Sequence, residues 1–404
     1  MTEVDIIVVG GGAAGFFSAI TAAEYNPSLR IIILEQSKEV LNKVRISGGG
    51  RCNATHACFD PKELTTYYPR GARELLGPFH TFGPTQTIDW FKNHGVNLKT
   101  EADGRMFPDS DSSETIIRCF QSLTQKLGIK VIQNVKVKGF NYSEEDEYKF
   151  EINTESIHYK SKRLMLATGS SPFMWNMLKE HGYKIVEPVP SLFTFNLPNN
   201  PICKLMGLSV PKATVQIKDS KIKTTGPLLI THWGMSGPAI LKASAWGANV
   251  LEEKKYQFDA IIDWIPDTPT ENITDLRDTM AKKKVVSNSI FGIPSRLWTY
   301  MTDDIITDKE KNWASLSKTE MNAIVQKLKF ASFTVSGKST FKEEFVTAGG
   351  VALSQINFKY FESKIQPGLF MAGEILNIDA VTGGFNFQAA WTGGYLAGLE
   401  MSKI

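Results

Sequence analysis

The sequence predicts an α/β fold: a parallel-sheet domain laid down in two pieces, with a β-rich domain and a small helical domain inserted between them. Three observations predict it. The chain opens on a strand–turn–helix–strand pattern, Asp5-Ile-Ile-Val-Val-Gly10-Gly-Gly-Ala-Ala-Gly15 followed by Glu35. A second glycine-dense strand-to-helix turn lies near the other end, at Gly373-Glu374 and Gly383-Gly-Phe-Asn386. Between the two, composition shifts from mixed to β-rich, then to helical and charged, and back.

The opening segment can be justified residue by residue. Val4–Val9 is an apolar run of the kind that forms a strand buried on both faces. Gly10, Gly12 and Gly15 fit G-x-G-x-x-G: the first for a tight turn, the second for close approach of backbone to a pyrophosphate, the third for close helix–strand packing. The helix that starts near Ala13 and Ala14 offers free N–H groups and a dipole to a phosphate. Asn26-Pro27 ends it. Arg30–Leu34 reads as the second strand, and Glu35, followed by Gln36, stands where a ribose diol would be held. An acid there disfavours a 2′-phosphate, so the site suits FAD or NAD better than NADP. This is the Rossmann-like arrangement; the alternative is a glycine-rich turn without a ligand.

The next stretch, 36–60, reads as a polar, glycine-rich loop. Lys43, Ser47, Gly48, Gly49, Gly50, Arg51, Cys52 and Asn53 form a segment able to wrap a hydrogen-bonding or anionic ligand. Helical patterns follow at 84–94 and 112–127, with a hairpin-like turn at 103–108 between them. Segments 129–140, 147–153 and 157–160 read as a small meander. Arg163–Gly169 then reads as a strand returning to the parallel sheet and bringing Thr168 and Gly169 near the ligand. Residues 1–190 make the first piece of the nucleotide domain. Residues 191–265 and 331–346 make the β-rich insertion, 266–330 the small helical domain, and 347–404 the second piece. In the insertion, Thr231-His-Trp-Gly-Met-Ser-Gly-Pro238 is a ligand-like loop. Ser317-Lys-Thr-Glu320 is a capping-box pattern. The final helix reads from about Gln388.

Composition excludes several function classes. Net charge is only +3, so nothing demands nucleic acid or a charged membrane as partner. No apolar run reaches the ~20 residues of a membrane span. The four cysteines, Cys52, Cys58, Cys119 and Cys203, form no C-x-x-C pair and no metal-ligand spacing, so no metal is expected. Sparse cysteines and no signal pattern point to the cytoplasm.

Ile46-Ser-Gly-Gly-Gly-Arg-Cys-Asn53, Thr231–Pro238, Thr347-Ala-Gly-Gly-Val351, Gly373-Glu374 and Thr382-Gly-Gly-Phe-Asn-Phe-Gln388 together resemble the BaiN-like (YhiN-like) FAD-dependent oxidoreductases. The motifs run in family order over almost the whole chain. The resemblance implies an FAD domain in two pieces with a β-barrel-like domain and a helical domain inserted. It implies FAD in the first glycine site, with Glu35 on the adenosine ribose and backbone around Val137 at the adenine. The 43–53 loop would approach the flavin and ribityl chain, and Glu374 the ribityl-pyrophosphate. Gly383, Gly384, Phe385, Asn386 and Phe387 would turn N–H groups toward the pyrimidine edge. The chain departs from the family at His56 (usually Asn), Pro227 (usually Glu) and Asn377 (usually Asp), and after the Ala-Thr-Gly strand, at Ser170–Trp175.

The activity expected is flavin-mediated hydride transfer to or from a small organic substrate, including reduction of a conjugated double bond, with NAD(P)H as transient donor. No second complete G-x-G-x-x-G exists, so a nicotinamide would enter the flavin cleft directly. Candidate proton donors are His232, Cys52 and Tyr395; for His232 the alternative is a histidine bonded within its own loop, and for Cys52 a packing role. The competing functions are a non-catalytic FAD-binding redox sensor and a flavin-dependent RNA-modifying enzyme.

Overall fold

The computed structural model describes residues 2–155, 157–339 and 346–404. They divide into two compact units, Met1–Val189 with Lys342–Ile404, and Pro190–Phe341.

In the first unit the apolar opening run forms β1 (Thr2–Val9), followed by α1 (Ala13–Tyr25) and β2 (Ile31–Leu34). β1 and β2 pair in parallel, Ile6 opposite Ile31. The glycine-rich "loop" after them begins as a helix, α2 (Asn42–Gly50), whose helical geometry breaks at Ser47, Gly48 and Gly49. Glycines masked this turn in the sequence because they weaken helix propensity. Three more strands complete the parallel sheet: β3 (Lys130–Ile132), β4 (His158–Leu166) and β5 (Leu369–Met371). The order is β5-β4-β1-β2-β3, parallel throughout. Two readings of the 129–160 region are thereby corrected. Lys130–Ile132 belongs to the parallel sheet and not to a meander, and 157–160 is the start of the same strand that carries Leu164–Leu166. Within that region the antiparallel strands are Val137–Tyr142 and Phe150–Thr154, the latter pairing with the first half of β4.

β5 comes from the far end of the chain and pairs with β4, Phe370 opposite Met165, and two short antiparallel strands, Glu362–Ser363 and Ile356–Asn357, extend the sheet beyond it. The last helix, α3 (Phe385–Met401), starts three residues earlier than its sequence pattern suggests, directly after Gly384. It lies against α1 at glycine contacts. A Cβ on Gly394 would come 2.8 Å from Ala14 O, and one on Gly398 2.5 Å from Ser18 O. Around them an aromatic core joins Phe17, Trp90, Phe120 and Trp391.

At the edge of that core His94 Nε2 meets Glu24 Oε1 at 2.7 Å and its Nδ1 meets Trp90 O at 2.6 Å. Two acceptors suit the imidazolium, and the Glu24 carboxylate is the main cause that raises the His94 pKa. A raised folded-state pKa contributes stability that is full below the ordinary value of 6.5 and lost as pH rises through the folded value. His94→Gln should therefore lower the melting temperature at pH 5.5 and approach wild type by pH 8.5. After solvent screening the effect is no more than about 1 kcal/mol. Equal melting differences at both pH values would show that the pair does not titrate with folding.

The second unit is built on an antiparallel sheet. Its order is Ala331–Ser336, Gln257–Asp263, Ser209–Ile217, Lys223–Ile230, Gly234–Ser236, Thr194–Asn196 and Lys338–Ser339. The two end strands are consecutive in the chain, separated only by Gly337. Gly337 donates to Tyr256 O and accepts from Asn196 N, so the sheet curls round until its edges meet. Helices Thr270–Thr274, Leu276–Thr279, Ser295–Thr302 and Lys318–Lys329 follow from the charged segment. The capping box at Ser317 and Glu320 forms, both hydrogen bonds present. These helices do not make a body of their own: Ile273, Leu297, Ile324 and Leu328 share one core with Val215, Ile230 and Ile262. Residues 340–345 of the expected 331–346 β segment lie outside the described residues. No helix among the described residues is long and apolar enough to cross a membrane.

Candidate functional site

The C-terminal ends of the parallel strands converge on one crevice, which is where open α/β sheets hold ligands. β1 runs into Gly10, whose N–H donates to Leu34 O (2.9 Å). A Cβ on Gly10 would sit 2.4 Å from Ala167 O, and one on Gly15 2.1 Å from Gly10 O. Both glycines are thus required by the fold itself. Gly12 differs: a Cβ there meets nothing within 4 Å. Its backbone, φ −99° and ψ −168°, suits any residue. The space beside Gly12 is free for a ligand, and the N–H groups of Ala13, Ala14 and Gly15 in the first turn of α1 have no intrahelical acceptor.

Glu35 stands at the end of β2. Its Oε2 accepts the Gly11 N–H at 2.7 Å and its Oε1 the Ser37 N–H at 2.8 Å. Gln36 beside it is exposed. The backbone of residues 134 and 135 bonds back to 35 and 37, and buried Val137 opens the next strand. The end of β4 carries Thr168, whose buried hydroxyl has no hydrogen-bond partner among the described residues, and Gly169. A Cβ on Gly169 would lie 3.8 Å from Glu374 Oε2, and one on Gly373 3.5 Å from Ala14 Cβ. Lys43 of α2 forms an ion pair with Glu374. Residues far apart in sequence, Gly10–Gly15, Glu35, Lys43, Thr168–Gly169 and Gly373–Glu374, therefore gather at one place.

A second group forms around the turn that starts α3. Gly48, Gly49 and Gly50 all have φ between 58° and 85°, a left-handed backbone that only glycine adopts without strain. Ser47 Oγ is bonded to Val44 O. In the amide orientation that satisfies both ends, Asn53 donates to Met106 O and Thr55 O and accepts from Gly384 N at 3.0 Å. Asn53 so ties the 43–53 segment to Gly383–Gly384. Both amide ends of Asn386 are spent on Ala380, closing the 380–386 turn. Phe385 is buried against Tyr67 and His56, and Phe387 stacks on Trp391. The first N–H groups of α3 remain for a ligand.

The structure places four further sequence candidates. The Arg51 guanidinium is engaged by Glu101 at 2.6 Å and lies 3.9 Å from the Phe107 ring centroid, so its charge serves the protein. Cys52 is fully buried, and burial pushes its thiol up to about 12. A neutral thiol shut off from solvent favours the packing role of Cys52 over the catalytic one. Tyr395 hydrogen-bonds Tyr25 and stacks on Phe82. His232 belongs to the second unit, in a turn closed by Thr231 N to Gly234 O and Gly234 N to Thr231 Oγ1. Its ring is exposed, edge-on to Trp233, and makes no hydrogen bond within its own loop among the described residues.

Sequence reasoning missed the pieces that hold the α3 turn in place. Asp379, wholly buried, pairs through both oxygens with Arg70. Gln388 accepts from Thr55 and Thr87, and Trp391 donates to Ala54 O. An acid inside the apolar run Ile375–Val381 was the one available signal for Asp379.

A dinucleotide fits this crevice on three observations: the open cradle at Gly12, the orphaned Thr168 hydroxyl, and two helix N-termini facing out. The model of the HI0933-like protein Rossmann domain matches residues 4–400. The chain is 27% identical to a ribosomal RNA dihydrouridine synthase of Haemophilus influenzae, covering 98% of both. It is 25% identical to a 3-dehydro-bile acid delta(4,6)-reductase of Clostridium scindens, covering 97% of both. Among solved structures, the 3-ketosteroid-delta4-(5alpha)-dehydrogenase of Rhodococcus jostii RHA1 shares the fold. Its TM-score is 0.56 at 13% identity, over 100% of this chain and 97% of that one. The chain belongs to the HI0933-like Rossmann family, the BaiN-like group its motifs resemble, and is an FAD-dependent oxidoreductase.

Proposed function

We propose that the protein reduces a carbon–carbon double bond conjugated to a carbonyl in a small organic substrate, with NAD(P)H as electron donor. One observation carries the reading. The near-full-length relatives bear different substrates in their names but one type of bond: dihydrouridine arises by saturating a uracil double bond, and a 3-dehydro-delta(4,6) ring is an extended enone. Bound FAD supplies the hydride chemistry. The chain's own residues do the rest. Gly10–Gly15 and the start of α1 hold the pyrophosphate, Glu35 the ribose and backbone near Val137 the adenine. Glu374 and Lys43 face the ribityl side, and the 47–53 and 383–387 turns enclose the flavin. N–H groups at the start of α3, if turned to its pyrimidine edge, would favour negative charge there. Without a second dinucleotide motif, the nicotinamide reaches the flavin directly.

A second reading is an RNA substrate. The relatives' names favour it, and so does charge placement: Pro190–Phe341 carries 19 Lys and Arg against 14 Asp and Glu, more than the whole net charge of +3. The test is anaerobic reduction with deuterated NADH or NADPH, followed by addition of a cyclic enone or of ribosomal RNA. Deuterium in the saturated enone is the expected result. Deuterium in uracil alone, with binding that weakens steeply in salt, would replace the small-molecule substrate by RNA. No flavin reduction by either nucleotide would remove NAD(P)H as donor.

A further inference from the structure

The second unit contains a pocket of about 400 Å³ that the flavin crevice does not explain. That volume falls in the range of small-molecule sites. Its walls are two short, stiff turns. One is the Thr231–Gly234 turn, where a Cβ on Gly234 would lie 2.0 Å from Phe195 O, so the turn is pressed against the neighbouring strand. It presents His232 and Trp233, and the Trp233 indole N–H donates to Thr194 Oγ1 at 3.0 Å, which fixes the ring. The other turn runs from Asn196 to Asn200, with Asn200 N bonded to Leu197 O. Ser336 completes the lining.

The chemistry of the lining is lopsided. Among the described residues, no acidic or basic side chain other than His232 contributes. The Asn200 side-chain oxygen is already used, accepting the Ile202 N–H at 3.0 Å. The Asn196 side-chain oxygen accepts from Ser339 Oγ at 2.9 Å. Each of these two amides therefore has its oxygen engaged inside the protein and an NH2 donor with no partner among the described residues, while the His232 ring, the Asn199 amide and the Ser336 hydroxyl can each donate as well as accept. A ligand for such a site must bring an acceptor. With no Lys or Arg in the lining among the described residues, a carboxylate or phosphate gains nothing there over a neutral oxygen and loses its hydration. Trp233 adds an aromatic wall suited to a flat ring.

The geometry points to a recognition pocket for an uncharged ring bearing a carbonyl oxygen, held by the amide donors of Asn196 and Asn200 and by His232 beside Trp233. The inference rests on the proposed reduction of a carbonyl-conjugated double bond only for the choice of probe; the donor-rich lining is independent of it.

The test uses the full-length, FAD-loaded protein without electron donor. Ligand-observed NMR would compare cyclohex-2-en-1-one, cyclohexene, which lacks the carbonyl, and cyclohex-1-ene-1-carboxylate, which is charged. The ketone should bind at least tenfold more tightly than either analogue. Asn200→Asp keeps an oxygen to cap Ile202 N–H but replaces the NH2 donor by an acceptor. It should weaken ketone binding about tenfold, with FAD content and melting temperature unchanged. His232→Ala should weaken it less. Equal binding of all three probes, or wild-type binding by both variants, would overturn the pocket. Intact binding with no deuterium transfer to the ketone would instead overturn the proposed reaction and leave the pocket standing.

Discussion

Gly12→Val should yield a folded protein that holds at least tenfold less FAD, a loss of about 1.4 kcal/mol or more in binding. The three motif glycines do different jobs, and this one isolates the ligand. Gly10 and Gly15 cannot accept a side chain because backbone oxygens lie within 2.4 Å and 2.1 Å of where a Cβ would be. Replacing either would disturb strand and helix whether or not a cofactor binds. Gly12 has extended backbone that valine adopts readily, and empty space in front of it. Only something seated against the α1 N-terminus would meet the new methyl groups. The measurement is flavin released on denaturation, beside a melting curve of flavin-free protein. Unchanged flavin would mean that the opening glycine run is only a turn. Glu35→Ala should act more mildly, about 1–2 kcal/mol, by removing a charged acceptor. It also strips the Gly11 N–H of its partner, so part of the loss reflects a looser loop.

What could be read in the sequence was what is local. β1, the glycine turn, α1, β2 and Glu35 occupy one continuous stretch, and each has its own periodicity or punctuation. The Ser317–Glu320 cap was legible for the same reason. The two-piece nucleotide domain was legible because its second piece repeats a strand-to-helix glycine turn. Less could be read where a short segment takes its structure from partners. Lys130–Ile132 has three residues, of which only Lys130 is exposed, and only its pairing with β2 makes it a parallel strand. The first turn of α2 hides behind the glycines that end it. Asp379 and Arg70 are 309 positions apart, and nothing in either neighbourhood announces the other. Cys52 was legible as part of the 43–53 segment, but its burial depends on packing that no pattern of neighbours encodes.

A fragment ending at residue 190 should neither stay folded nor bind FAD, although it contains every residue of the opening dinucleotide motif. Its sheet would lose β5, leaving the Leu164–Leu166 edge of β4 unpaired, and Leu369, Phe370 and Met371, all fully buried, would be gone from the core. α1 would lose α3, and Phe17 would lose its contact with Trp391. Gly373, Glu374 and the 383–387 turn would be missing from the site itself. The outcome expected on expression is insoluble, colourless protein; a soluble yellow fragment would refute assembly from two pieces. A graded version keeps the chain whole. Gly398→Val adds its side chain 2.5 Å from Ser18 O and 2.8 Å from Thr21 Cβ, where backbone and a packed Cβ cannot give way. Overpacking of this kind costs about 1–3 kcal/mol, and more where backbone must move. The strain falls on the α1–α3 contact, which lies behind the Gly12 cradle and not in it. Gly398→Val should therefore lower the melting temperature first and flavin content only as α1 shifts, the reverse of the order expected for Gly12→Val. If the two variants lost flavin and stability in equal measure, the separation of cradle from scaffold would fail.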